Sequence, residues 1–171
     1  MSMTAAEFWT VVHGMVFGAI YLLAFAGGLA GLYSLRPELV TPQGIRERMG
    51  RLKVGVWTMA VMAWLTVISG TYIVYPWYRA KTPDSPRSRL LADEATKLWH
   101  TFGMEWKEHV GWVAPILATA VAFLVTYYGA ERLAKDKTLR NAALVLFILA
   151  FFAAAVAGVF GAFLNKVAPI R

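Results

Sequence analysis

The sequence predicts an all-α integral membrane protein, a four-transmembrane-helix bundle with one long external loop between helices 2 and 3. Three observations predict it. Four apolar stretches, about 8–34, 54–75, 109–129 and 141–164, can each cross a hydrocarbon core of about 30 Å at about 1.5 Å per helical residue. Every Asp, Glu, Lys and Arg lies outside them, as the cost of a charge at mid-bilayer demands. Aromatic residues gather at the ends: Phe8 and Trp9, Tyr72 to Tyr78, Trp106 and Trp112, Tyr127 and Tyr128. They read as interfacial belts.

Composition agrees. The chain is 58% hydrophobic and 16% charged, which places it outside the range of soluble domains. With no cysteine, disulfides, thiolate zinc sites, iron–sulfur clusters and covalent haem attachment are excluded. A net charge of +7 would suit nucleic acid in a soluble protein. In a membrane chain, basic loops serve topology and anionic headgroups instead, so no nucleic-acid partner is expected and the lipid bilayer is. Residues 1–7 lack a basic leader, so the first stretch reads as a retained span.

Span 1 carries Gly14-x-x-x-Gly18 and Gly27-x-x-x-Gly31, and span 4 carries Ala154-x-x-x-Gly158-x-x-x-Ala162. Such spacing lets helix backbones approach closely. Pro115 is expected to kink span 3 near its start. The segment 76–108 opens with Tyr75-Pro-Trp-Tyr-Arg79 and passes through a Pro- and Ser-containing stretch, 82–88, read as non-helical. Asp93 can cap a helix running into span 3, with Leu91, Ala95, Leu98, Phe102, Trp106 and His109 on one face and Gly103 as a point of breakage. That helix would lie on the membrane surface or extend span 3.

Four spans put both termini and the 76–108 segment on one side. The 35–53 loop (Arg36, Arg46, Arg48, Arg51, Lys53) and the 130–140 loop (Arg132, Lys135, Lys137, Arg140) lie on the other. Basic density makes the two short loops cytoplasmic and both termini external, in a prokaryotic plasma (inner) membrane.

His13 lies inside span 1, on a stripe with Phe17, Ile20, Ala24, Gly27 and Gly31. An ionisable group at that depth is a functional candidate, weighed against a plain helix–helix hydrogen bond. His109 opens span 3 on the same side, at similar depth. Two histidines so placed suit the axial positions of a b-type haem. Each span also has a glycine near that level (Gly14, Gly70, Gly111, and Gly158 with Gly161), which would give a flat macrocycle clearance. Arg79 and Lys107 are candidates for the propionates. His100, nine residues before His109, points to the opposite face of a continuous helix. It is a candidate for a propionate or quinone headgroup, or an alternative ligand. A rival set, Glu105, Glu108, His109 and His100, could with His13 hold a non-haem metal.

The expectation is a membrane electron-transfer protein. It would bind haem b through His13 and His109, with Arg79 and His100 as further cofactor contacts. It would exchange electrons with a quinol or an external carrier, with other redox subunits as partners. No catalytic residue is assigned. In architecture alone the plan resembles four-helix membrane cytochromes b. The alternative is a non-catalytic accessory subunit of a larger, respiratory-type membrane complex, with His13 as a helix–helix hydrogen bond.

Overall fold

The computed structural model describes residues 2–39 and 41–170. Four long helices dominate it: α1 (Ala5–Ser34), α2 (Pro42–Tyr78), α4 (Glu94–Lys135) and α5 (Lys137–Val167), with a short α3 (Pro86–Ala92) between α2 and α4. All four long helices are long and apolar enough to cross a membrane. No strand occurs among the described residues.

Each long helix begins at a residue whose side chain takes an orphan backbone N–H. Thr4 and Glu7 form a reciprocal capping box. Thr41 Oγ1 accepts from Gly44 N at 3.1 Å, with Pro42 pre-set for the first turn. Asp93 Oδ1 accepts from Ala95 N at 2.9 Å, and Asp136 Oδ1 from Leu139 N at 3.0 Å.

The helices outrun the apolar stretches that announce them. α2 starts at Pro42 because Ile45, Met49 and Leu52 recur at helical spacing and are buried, while Arg46, Arg48 and Arg51 cover the outer face. The expected loop 35–53 therefore gives up residues 42–53 to α2. The 130–140 loop contracts likewise. α4 kinks at Gly129, the one described residue at positive φ (68°, with ψ −179°), and resumes to Lys135, leaving Asp136 as the connector. The segment 76–108 is mostly helix and not an open loop. α2 continues to Tyr78, and Ser85 caps α3 with Pro86 in its first turn, so only part of 82–88 is irregular. Glu94 begins the long extension of span 3.

The helices pack in ring order α1–α2–α4–α5, and a looser α5–α1 seam closes the ring. Lipid tails supply little hydrophobic drive between helices, so association rests on close packing and hydrogen bonds. A close crossing lies at Gly28, outside the predicted glycine pairs. A Cβ on Gly28 would strike the Phe147 ring, and one on Gly55 would come within 3.7 Å of the Gly28 nitrogen. Gly31 does pack, against Leu52, but Gly14, Gly18, Gly27 and Gly158 have no neighbour within 4 Å of a Cβ position. Fully buried Phe147 continues into Phe25 and Phe151, whose rings stack at 3.9 Å. Trp57 Nε1 and Trp64 Nε1 on α2 donate at 3.0 Å to Thr126 and Thr119 on α4, and Tyr21 on α1 donates at 2.9 Å to the Ala150 carbonyl on α5.

The exterior is apolar. Leu22, Leu23, Ile68, Ile116, Phe123, Leu149 and Phe152 all face outward. So large an apolar surface is untenable in water and suited to lipid.

Gly129 sits in a backbone region that essentially only glycine occupies. Gly129→Ala is expected to destabilise the protein by about 1–3 kcal/mol, read as a lower thermal midpoint in detergent.

Candidate functional site at the histidine-bearing end

The N-terminal part of α1, the C-terminal part of α2, the first half of α4 and the C-terminal part of α5 meet at one end of the bundle. All the π-type and 3₁₀ turns among the described residues lie there. Wide π-type turns occupy Val12–Val16, Gly70–Val74 and Trp99–Met104, and a tight 3₁₀ turn occupies Val110–Trp112. Two have a covalent cause. Pro76 has no N–H to give the carbonyl of Tyr72, and Pro115 has none for Gly111. The other two contain His13 and His100. Such turns gather at functional sites, where they re-aim side chains.

His13 Nδ1 lies 3.1 Å from Ser69 Oγ on α2. The Ser69 hydroxyl also donates to the Thr66 carbonyl at 3.1 Å. With its proton on the Thr66 carbonyl, Ser69 accepts from His13 Nδ1–H, and that tautomer carries the ring lone pair on Nε2; with the proton turned to Nδ1, the tautomer is reversed. The ring rests on Gly70, where a Cβ would come within 2.7 Å of Cε1. Gly70 therefore admits the imidazole, a role distinct from clearance for a macrocycle.

His109 behaves differently. Its side chain is 72% exposed, and its polar contacts are to Glu105 one turn back: the carbonyl at 2.9 Å and Oε2 at 3.6 Å. A carbonyl only accepts, so Nδ1 donates and Nε2 is again left with the lone pair. Depth follows from the cross-helix contacts. α2 pairs with α4 through Trp64–Trp112, Trp64–Thr119 and Tyr78–His100. That register puts His109 within about one turn of the level of Ser69, and so of His13. The two histidines match in height but have no shared contact: His13 turns to α2, and His109 turns along its own helix.

His100 is 5% exposed, and its Nδ1 lies 2.7 Å from the Tyr78 hydroxyl. Tyr78, read from sequence as part of an aromatic belt, is buried with Leu90, Met104, Leu164 and Ala168 in a small second core. Arg79 lies over the Tyr75 ring at 5.2 Å. Lys107 leans into α5, donating to the Ala157 carbonyl at 3.3 Å against Gly161. Among the described residues no three His, Cys, Asp or Glu side chains converge as a metal site. The set Glu105, Glu108, His109 and His100 is thus not assembled.

Three buried polar atoms at this end lack a hydrogen-bond partner: Arg87 Nε, Trp106 Nε1 and Glu108 Oε1. Sequence reading missed Ser69, Tyr78 and Arg87 as site residues. A serine beside a glycine in an apolar run was the available signal for Ser69. No local signal marks Tyr78 apart from its aromatic neighbours.

No protein family, curated protein or solved structure matches the chain.

Tyr78→Phe leaves the buried His100 Nδ1 unpaired and should cost about 1–3 kcal/mol. His109→Ala, at an exposed position, should change stability by no more than about 0.5 kcal/mol. Chemical unfolding of both variants in detergent checks the contrast.

Proposed function

We propose that the histidine-bearing end binds a b-type haem and that the protein transfers electrons within or across a membrane surface. The observation that carries the reading is the pattern of imidazole bonds. His13, His100 and His109 each bond through Nδ1, and each would present Nε2 to a metal in the tautomer in which Nδ1 donates. Metal-binding histidines are oriented in this way, through a second-shell bond on the other ring nitrogen. His13 and His109, matched in height, would be the residues that hold the iron. His100 is the alternative ligand, already tied to Tyr78.

Fit to the group is supported by the unpartnered atoms. Arg87 Nε and Trp106 Nε1 are buried donors of the kind a propionate carboxylate accepts from, and Arg79 adds charge nearby. When bound, the haem iron would take up and release one electron. The chain would supply two neutral imidazoles, which fix spin state and potential, and an apolar envelope that limits water. Trp99 stacked on Phe163 and Phe102 set edge-on to Phe160 would form part of that envelope. The electron partner would be a quinol or an external carrier. The basic segments would face the cytoplasm and both termini the outside of a prokaryotic plasma membrane.

A second reading rests on one of the same contacts. The His13–Ser69 bond ties α1 to α2 without any cofactor, as it would in an accessory subunit of a larger membrane complex.

Visible spectra of the purified protein separate the two. The haem reading expects a Soret band with sharp reduced α and β bands, lost in both His13→Ala and His109→Ala. Loss in His100→Ala with retention in His109→Ala would reassign the second ligand. Colourless, folded protein from haem-replete cells would leave the accessory reading. A reporter fused after Arg171 should be active on the external side.

A further inference from the structure

At the opposite end, the α1–α5 seam opens into a cleft of about 420 Å³ lined by Arg36, Glu38, Lys137, Arg140 and Asn141. Arg140 is 7% exposed. Its Nη1 donates to the carbonyls of Leu133 and Ala134 at 3.0 and 2.8 Å, which satisfies the end of α4 and fixes the guanidinium plane. Its Nε is buried with no partner. Arg36 shows the same pattern from the other wall. Its guanidinium lies 4.0 Å from the centroid of the Tyr33 ring, and its Nε is also buried and unpartnered. Two guanidinium groups, one held by carbonyls and one against a ring, each with a buried Nε that has no partner, thus line one cleft.

Charge agrees. Three cationic side chains face one carboxylate, Glu38. The neighbouring Asp136 is committed elsewhere, to Leu139 N and to Arg132 at 3.3 Å. The cleft also lies at the N-terminal turn of the 31-residue α5, the positive end of its dipole. Apolar surface begins within about a turn on both helices, where Tyr33 and Val145 are 53% and 55% exposed.

We infer that this cleft binds a phosphate group, held by the Arg36 and Arg140 guanidinium groups with Lys137 at its rim, and supplied by the headgroup of an anionic phospholipid. Unmet arginine N–H donors suit phosphate oxygens, which accept charge-assisted bonds in several directions. Basic pockets between membrane helices on the more basic side bind such headgroups. Free phosphate offers the same chemistry without acyl chains to lie on the adjoining apolar surface.

The full chain in neutral detergent would be titrated with dioleoylphosphatidylglycerol, dioleoylphosphatidylcholine and inorganic phosphate, with binding read by native mass spectrometry and thermal shift. Phosphatidylglycerol should bind about tenfold or more tightly than phosphatidylcholine, and Arg36→Gln should remove most of that preference. Arg140→Gln also breaks the α4 cap, so Lys137→Gln serves as the second variant, with a smaller loss in the same direction. Stabilisation by inorganic phosphate that is lost in Arg36→Gln, without a lipid preference, would keep the phosphate site and replace its source. No preference between the lipids together with no response to phosphate would overturn the proposal, as would a preference unchanged in Arg36→Gln and Lys137→Gln.

Discussion

Backbone hydrogen bonding in an apolar medium is the constraint on which the rest of this structure depends. A peptide group in hydrocarbon has no water to bond, so each span must satisfy its own N–H and C=O groups, and a helix does so within one segment. Side chains obey the same rule. Thr10, Thr66 and Thr119 return their hydroxyl protons to carbonyls one turn back, and Trp57, Trp64 and Tyr21 find acceptors on neighbouring helices. Among the described residues, the five buried side-chain polar atoms left without a partner belong to Arg36, Arg87, Trp106, Glu108 and Arg140. All five lie toward the two ends of the bundle and none at its middle. Chemistry is thereby confined to the ends.

The ends are built differently. At the histidine-bearing end, helical regularity gives way four times within a few turns of each other. Pro76 and Pro115 each delete a backbone donor, and widening or tightening of the preceding turn redistributes the carbonyls. At the basic end the one break among the described residues is the kink at Gly129, and the adjustment is made by that glycine and one arginine. Gly129 redirects α4, and Arg140 then closes its exposed carbonyls. A residue that reads from sequence as a topological signal is thus also a structural clamp.

Much of this was legible in the sequence because the charges mark where the spans cannot be. The four apolar runs locate the four helices, and Asp93 announces the start of the long third one. Helix ends were less legible. Between 42 and 53 the basic residues dominate the composition and mask Ile45, Met49 and Leu52 on the buried side. The glycine pattern misled for a related reason. Spacing identifies which glycines share a face, but the angular setting of the whole helix decides whether Gly27 or Gly28 meets a partner, and only tertiary packing fixes that. For the site, the height of His13 and His109 was readable from span counting. The direction of each imidazole was not, since Ser69 and the Glu105 carbonyl select it.

Those two partners narrow what the histidines can do. An accessory role for His13 needs only the bond between Nδ1 and Ser69, which the structure already contains. A ligand role needs that same bond, because it holds the proton on Nδ1 and leaves the Nε2 lone pair for a metal. The Ser69 contact therefore supports both readings equally. What separates them is the second nitrogen. In a purely structural clamp, either tautomer would serve if the serine could turn its proton. Here the Ser69 hydroxyl also reaches the Thr66 carbonyl, an arrangement that suits Ser69 as the acceptor from Nδ1–H. In that tautomer the Nε2 lone pair is open to an electrophile, which joining two helices does not require, and a metal ligand does.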